Sequence, residues 1–143
     1  MCPYVYEHAW SPHLAAQAEG NPPELPQIDL EVVKAGWRSV CERYDYVTME
    51  GSGGILCPLR HDEKEKLWLE DVVRQLGLAS VIVAHAGLGT INSVVLTAEY
   101  MRARNLAVKG FIFNHFHPGD RMEEDNVAMC QERTGLPVLA LVQ

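Results

Sequence analysis

The chain has 143 residues, of which 48% are hydrophobic, and its 12 lysines and arginines against 19 aspartates and glutamates give a net charge of −7. This length predicts a single domain over residues 1–143 with a sizeable core. An acidic balance without any basic run makes nucleic acid a poor candidate partner. The apolar runs are far shorter than the roughly 20 residues of a bilayer span, and the start lacks a signal-peptide pattern, so we expect no membrane association and a cytoplasmic location.

The first part of the chain predicts two helices separated by a proline-rich connector. A helix over Ser11–Glu19 has a serine at its N-cap and a proline in its first turn. Residues 21–27 contain Pro22, Pro23 and Pro26, so this connector is expected to be irregular. Helical spacing of apolar residues resumes after Asp29, which is available as an N-cap, and the second helix is expected to end near Arg43.

The rest of the chain predicts alternating strands and helices. The predicted strands are 44–49, Ser80–Ala84, Val108–Phe113 and Pro137–Val142, and the predicted helices are Lys64–Leu76, Thr90–Arg104 and Glu123–Thr134. Apolar strands joined through helices favour an α/β fold, a parallel sheet with helices on both faces and right-handed crossovers. Because ligands of such sheets bind beyond the carboxyl ends of the strands, the residues that follow each strand are the candidate site residues.

The segment after the first predicted strand places a carboxylate directly before glycines. Glu50 offers the hard oxygen ligand that Mg²⁺ prefers. Gly51, Gly53 and Gly54 lack a Cβ, so their backbone can approach a phosphate or a carboxylate closely. The pattern predicts a site for an anion and its metal, although a glycine-rich turn after a strand is also ordinary turn chemistry.

The next strand end leads into a helix through the glycine-punctuated segment Ala86-Gly87-Leu88-Gly89-Thr90-Ile91-Asn92. Thr90 or Asn92 is available as the helix cap. The free amides and the dipole at a helix start favour a bound carboxylate or phosphate. Glycines before a helix also occur without any ligand, so a plain turn stays open here.

The third strand end carries Asn114, whose amide offers both donors and an acceptor and so matches the mixed edge of a nucleobase. Capping of a local turn is the commoner role of such an asparagine and stays open. The nearby His115 and His117, with Asp120, are interpreted as solvated loop residues and no metal is assigned to them. The four cysteines form no C-x-x-C pair, which gives a zinc site or a redox pair little support.

Several of these segments together resemble dethiobiotin synthase in order and spacing, across nearly the whole chain. The matching segments are Ser11-Pro12-His13-Leu14-Ala15-Ala16, Glu50-Gly51-Ser52-Gly53-Gly54 with Pro58-Leu59, Leu88-Gly89-Thr90-Ile91-Asn92, and Gly110 to Asn114. The acidic run that ends in Asn126 is also similar to the family's segment after its adenine-reading asparagine. The resemblance implies a phosphate-loop NTPase-like fold that converts 7,8-diaminopelargonic acid, CO₂ and ATP to dethiobiotin with Mg²⁺.

The resemblance also implies roles for individual residues. Glu50 resembles the Mg²⁺-binding glutamate, and the glycines at 51, 53 and 54 resemble the turn that approaches phosphate and the carbamate. Ser11 is similar to a serine that contacts the diamine substrate. Gly89, Thr90, Ile91 and Asn92 match the helix start that holds the substrate's distant carboxylate across a dimer interface, which implies a homodimer. Asn114 matches the residue that reads adenine.

The chain departs from the family pattern in one essential respect: no G-x-x-x-x-G-K-[ST] phosphate loop occurs in it. We therefore expect poor or no catalysis by this chain alone, with the phosphate-loop half supplied by the rest of a longer protein or by a separate chain. Two other readings stay open. One is a non-catalytic module that binds a carboxylate or forms a dimer, and the other is a related amidoligase such as a cobyrinic acid synthase.

Overall fold

The computed structural model describes residues 2–21 and 27–143. Contacts within the chain divide it into two compact units, Met1–Leu76 and Gly77–Gln143. The prediction of a single domain over 1–143 stays a prediction. The three prolines of the predicted connector lie outside the described residues.

Two helices of the first unit agree with the sequence prediction. Helix α1 spans Pro12–Glu19 and helix α2 spans Leu30–Cys41. Asp29 caps α2, because its side chain accepts a hydrogen bond from the amide of Glu31 at 2.7 Å. Ser11 occupies the N-cap position of α1 with extended backbone, but its side chain makes no capping hydrogen bond, so the predicted serine cap is wrong in this respect.

The predicted helix over Lys64–Leu76 is wrong in its first part. The chain there forms an antiparallel hairpin of β1 (Pro58–His61) and β2 (Lys66–Trp68), and helix α3 begins only afterwards and spans Leu69–Leu76. A turn at Asp62 explains the difference, because its Oδ1 accepts hydrogen bonds from the amides of residues 64 and 65, both at 2.8 Å. An aspartate that binds the backbone in this way favours a turn over a helix.

The predicted strand over 44–49 is also wrong, since this segment is irregular. A strand needs a neighbour to pair its backbone groups. Among the described residues, strands pair only in the hairpin and in the three-stranded sheet of the second unit, and neither includes 44–49. Tyr46 is 95% exposed, so burial does not order this run either. Glu50 therefore follows an irregular segment and not a strand.

The second unit has the predicted parallel α/β arrangement. Its elements in chain order are β3 (Ser80–His85), α4 (Thr90–Ala103), β4 (Val108–Asn114), α5 (Arg121–Thr134) and β5 (Val138–Leu141). The strands form one parallel sheet in the order β3-β4-β5. A helix joins the two strands of each parallel pair. Strands in such sheets are buried and therefore appear in the sequence as short apolar runs, which made them predictable.

The core of this unit lies between one face of the sheet and both of its helices. Phe111 and Phe113 of β4 are fully buried, and they belong to one cluster with Val94 of α4 and Cys130 of α5. Residues on the other face are largely exposed, as shown by Val83 at 65%. Within this unit, helices therefore cover a single face of the sheet. None of the helices in the described ranges has both the length and the apolar character to cross a bilayer.

Asp62 provides a pH-dependent test of the hairpin. Its carboxylate accepts a hydrogen bond from Arg60 at 2.6 Å and backbone amides, and these bonds lower the pKa of Asp62 from 3.8 to about 2. A depressed pKa in the folded state gives stability that is present above pH 3.8 and lost as the pH falls towards 2. We expect a carboxyl-carbon NMR titration of Asp62 to show a midpoint near 2 and Arg60→Gln to raise it.

Glu63→Gln is the matched control, because residue 63 takes no part in these hydrogen bonds, and it should leave the Asp62 midpoint unchanged. An Asp62 midpoint at its ordinary value in the unmodified protein would contradict the hairpin geometry.

Candidate functional site

The Glu50 turn of the first unit contains glycines with different structural requirements. A Cβ at Gly51 would lie 2.6 Å from a methyl of Leu69, so a larger residue there would displace the end of the Leu69 side chain. Gly53 has φ +74°, a backbone conformation that side chains disfavour. Gly54 has no neighbour within 4 Å of its Cβ position and no positive φ, so neither packing nor backbone geometry requires a glycine there. Its backbone is the one most open to a ligand.

Backbone hydrogen bonds attach the end of this turn to the start of α3. The amides of Leu69 and Glu70 donate to the carbonyls of Cys57 and Ile55 at 3.0 and 3.1 Å. These bonds satisfy amides that the first turn of a helix leaves free. The helix start is therefore occupied by the protein itself, and the exposed side of the turn is left for any ligand.

Glu50 is exposed and fits Mg²⁺ only as a single protein ligand. In the described part of the chain no three histidines, cysteines, aspartates or glutamates lie together in a way that would hold a metal ion. Mg²⁺ in nucleotide sites usually takes one or two carboxylates and completes its shell with phosphate oxygens and water. One exposed carboxylate beside a glycine turn fits that role, and it does not make an independent metal centre.

The start of α4 is built differently from the sequence prediction. Gly89, with φ +90°, is the N-cap, so the prediction of Thr90 or Asn92 as the cap is wrong. The amide of Ser93 donates to the carbonyl of Gly89 at 3.3 Å, and no side chain caps the helix. A positive φ at the cap explains why a glycine occupies this position.

Thr90 is the most informative residue at this helix start. It is 4% exposed, and its Oγ1 is one of two buried side-chain polar atoms in the described ranges that lack a hydrogen-bond partner, the other being Nδ1 of His13. Thr90, Gly89, His85 and Ser93 line an open pocket of about 350 Å³. Buried polar atoms in proteins are almost always paired, so an unpaired hydroxyl at a pocket points to a ligand.

The other predicted residues of this helix start have separate environments. Ile91 is half-buried and packs against the core of the second unit, whereas Asn92 is exposed. Neither lines the pocket next to Thr90. The structure thus brings Gly89 and Thr90 to the pocket and leaves the predicted contacts of Ile91 and Asn92 with a ligand untested.

Asn114 lies at the same edge of the sheet as this pocket. It ends β4 and pairs in register with His85, the last residue of β3. Its backbone carbonyl accepts a hydrogen bond from the amide of Ala86 at 3.0 Å. The prediction that Asn114 lies at the carboxyl edge is confirmed, and adenine recognition by Asn114 stays a prediction.

Two buried polar residues of α5 hold the loops at this edge. Asn126, 7% exposed, donates from Nδ2 to the carbonyls of Ala86 and Gly87 at 3.0 and 3.1 Å. Glu123, 6% exposed, accepts from the amide of His117 at 2.6 Å. The two residues are three apart and so lie on one helix face. In the sequence analysis these two residues were part of the acidic run that ends in Asn126 but had no structural role. The only signal in the sequence was their spacing of three in a predicted helix.

The comparisons with known proteins agree with this architecture. The parallel sheet, with candidate site residues at its carboxyl edge, defines an α/β protein. A family model described as an AAA domain matches residues 1–143, and the chain belongs to that family. This confirms the predicted phosphate-loop NTPase-like fold class.

The sequence relatives are more specific. The chain is 49% identical to an ATP-dependent dethiobiotin synthetase of Brachyspira hyodysenteriae, over 99% of the chain and 62% of that protein. It is 44% identical to the enzyme of the same name from Clostridium novyi and 42% identical to that of Clostridium perfringens, in each case over 99% of the chain, and over 58% and 60% of those proteins. The resemblance is therefore confirmed, and the chain spans about three fifths of the length of these curated relatives.

Replacement of Asn126 tests the role of α5 in shaping the pocket. Asn126→Leu removes two hydrogen bonds and leaves the carbonyl of Gly87 with the Thr90 amide as its donor, so we expect the free energy of unfolding to fall by about 2 kcal/mol. Amide exchange in residues 86–89 should become faster. Asp125→Asn, at the neighbouring exposed position, is the control and should change neither quantity. An unchanged loop in Asn126→Leu would show that α5 does not hold it.

Proposed function

We propose that this chain contributes the substrate and adenine sites of an ATP- and Mg²⁺-dependent ligase that converts 7,8-diaminopelargonic acid to dethiobiotin in biotin biosynthesis. The observation that carries the proposal is the unpaired Thr90 hydroxyl at a helix start, in a chain whose relatives are named dethiobiotin synthetases. A helix N-terminus with a spare hydroxyl donor suits a carboxylate, and the proposed substrate is a carboxylic acid.

The reaction requires three steps of bond formation. CO₂ adds to one substrate amine as a carbamate, ATP phosphorylates that carbamate, and the second amine closes the ring and releases phosphate. Ser11 contacts the diamine end, and the turn at Gly51, Gly53 and Gly54 approaches the phosphate and the carbamate. Such phosphoryl transfer depends on positioning and on charge neutralisation more than on covalent catalysis.

The other residues bind the remaining ends of the two substrates. Gly89 and Thr90, with Ile91 and Asn92 after them, hold the distant carboxylate, and Asn114 binds the adenine edge of ATP. Glu50 holds Mg²⁺, which neutralises phosphate charge when it is bound. These roles are those that the resemblance implies, and the amide of Asn114 and the carboxylate of Glu50 also match their proposed partners chemically.

The assembly and location follow from the same proposal. A cross-subunit role for the α4 start requires a homodimer, and the enzyme works in the cytoplasm. The 143 residues contain no phosphate loop, so we propose that the chain alone is inactive and needs a phosphate-loop half, from a longer protein or from a separate chain. Sedimentation at high protein concentration that shows only monomer would oppose the dimer.

Complementation tests the reaction and Glu50 together. The chain should give no dethiobiotin alone, and dethiobiotin should form once it is joined to the phosphate-loop half of a dethiobiotin synthetase. Glu50→Gln in the joined protein should lower the rate at least about 100-fold, because charge neutralisation in phosphoryl transfer is worth several kcal/mol. The control is Glu42→Gln, another exposed glutamate of the first unit. A Glu50→Gln enzyme with an unchanged rate would remove Glu50 from the metal site.

A non-catalytic carboxylate-binding or dimerisation module is the second candidate, and the pocket at Thr90 is the observation that favours it. Calorimetry with 7,8-diaminopelargonic acid and with Mg-ATP separates the two. Binding of the acid, together with failure of the joined protein to form dethiobiotin, would favour the module. Tight Mg-ATP binding by the chain alone would oppose the proposed need for a phosphate loop.

The third candidate, an amidoligase of the cobyrinic acid synthase type, predicts activity on a different acid and is opposed by the Thr90-Ile91-Asn92 match.

Thr90→Val separates ligand binding from stability. Valine has nearly the same shape and removes a buried hydroxyl that lacks a partner, so we expect the free energy of unfolding to rise by about 1 kcal/mol. The affinity for the substrate carboxylate should fall about tenfold, because its hydrogen bond is lost. Thr97→Val, farther along the same pocket, is the control for shape. A Thr90→Val protein that is less stable would show that the hydroxyl has a structural partner.

A further inference from the structure

We propose that His85 is a further binding residue of the α4 pocket and donates a hydrogen bond from Nε2 to the ligand carboxylate. This inference rests on the proposed function, since it concerns the same pocket. The pattern of strand-end glycines gave His85 no role, and the structure places it at the pocket wall together with Gly89, Thr90 and Ser93.

The hydrogen bond at Nδ1 determines which ring nitrogen of His85 carries the proton. The amide of Gly87 lies 2.9 Å from His85 Nδ1. A backbone N–H can only donate, so Nδ1 is the acceptor and the neutral ring carries its proton on Nε2. The Nε2 atom is therefore a hydrogen-bond donor with a defined direction.

The loop after β3 is shaped to hold this ring. A Cβ at Gly87 would lie 2.9 Å from Nδ1 and 3.0 Å from Cε1 of His85, so a larger residue at 87 would displace the imidazole. Asn126 fixes the same loop by its hydrogen bonds to the carbonyls of Ala86 and Gly87. Asn126 thus holds the backbone whose Gly87 amide binds the His85 ring.

His115 supports the ring from the neighbouring strand end. The two imidazole centroids are 5.2 Å apart, with the ring planes at 34°. His115 has φ 53°, a left-handed conformation that is uncommon for a residue other than glycine. This backbone conformation brings the second ring against the first and restricts its rotation.

The pocket matches a carboxylate that carries an aliphatic chain. His85, with its Nε2 proton, and Thr90, whose buried hydroxyl has no protein partner, are two donors among the pocket residues, and the start of α4 favours negative charge. Ile82, Ala84 and Val94 also line the pocket and suit methylene groups. The ligand class is therefore a medium-chain carboxylic acid, with its carboxylate between His85 and Thr90.

Binding measurements on His85 variants test the proposal. The probes are nonanoate, which has the carboxylate and the chain only, and 7,8-diaminopelargonic acid. We expect His85→Phe to weaken binding of both probes about tenfold, and His85→Gln, which keeps an N–H donor, to stay within about threefold of the unmodified protein. His117→Gln is the control, because His117 does not line the pocket and should bind both probes normally.

Nitrogen NMR of the imidazole provides a readout that a general loss of structure would not reproduce. His85 should show a protonated Nε2 and an unprotonated Nδ1, and the Nε2 signal should shift on addition of nonanoate. A proton on Nδ1, equal binding by His85→Phe, or no binding of either probe by the unmodified protein would overturn the role of His85. Equal affinity for the two probes, with the His85→Phe loss intact, would instead count against diamine recognition and leave the role of His85 standing.

Discussion

The carboxyl edge of the second unit depends on the buried amide of Asn126. Its two hydrogen bonds reach the carbonyls of Ala86 and Gly87, and the carbonyl of Gly87 also accepts from the amide of Thr90 at 3.3 Å. That loop in turn sets Gly89 at the start of α4 and the ring of His85 at the end of β3. A single side chain of α5 therefore holds the loop in which the amide of Gly87 binds the His85 ring and the carbonyl of Gly87 accepts from the amide of Thr90.

The glycines of this protein show why composition alone is a weak guide to a ligand site. A Cβ at Gly110 would lie 2.4 Å from the backbone carbonyl of residue 137, which cannot move aside easily. A Cβ at Gly51 or Gly87 would meet the end of a side chain, of Leu69 or of His85, which would have to shift. Neither constraint applies to Gly54. Glycines with equal weight in a sequence motif thus have unequal structural reasons.

The sequence predicted the second unit better than the first for a physical reason. The runs at 80–84 and 108–113 are apolar, carry β-branched or aromatic residues and are separated by helical patterns, so local preference and burial agree. The segments 44–49 and 64–68 lack that agreement. The first has strand-like residues but no pairing partner within the described chain, and the second has helical spacing that the turn at Asp62 overrides. Hydrogen bonds from side chain to backbone are not visible in a hydrophobic pattern.

The candidate site was predictable in its positions and not in its contacts. Strand ends located Gly89, Thr90 and Asn114, because parallel topology collects them at one edge. The roles of Asn126 and Gly87 depend on which carbonyl or ring a side chain meets, and spacing alone does not contain that information.

Thr90 carries a buried hydroxyl that the described part of the chain does not pair. A threonine and a valine occupy almost the same space, so valine would fill this buried position without an unpaired hydroxyl and with a gain in stability. The hydroxyl is retained at a helix start whose dipole favours an anion and beside a ring whose N–H donor is set by Gly87. The buried hydroxyl is costly for the fold, whereas the exposed ring of His85 is not, because water can satisfy its Nε2 proton. Under the proposed function, the stability lost at Thr90 is the structural cost of a site for the substrate carboxylate.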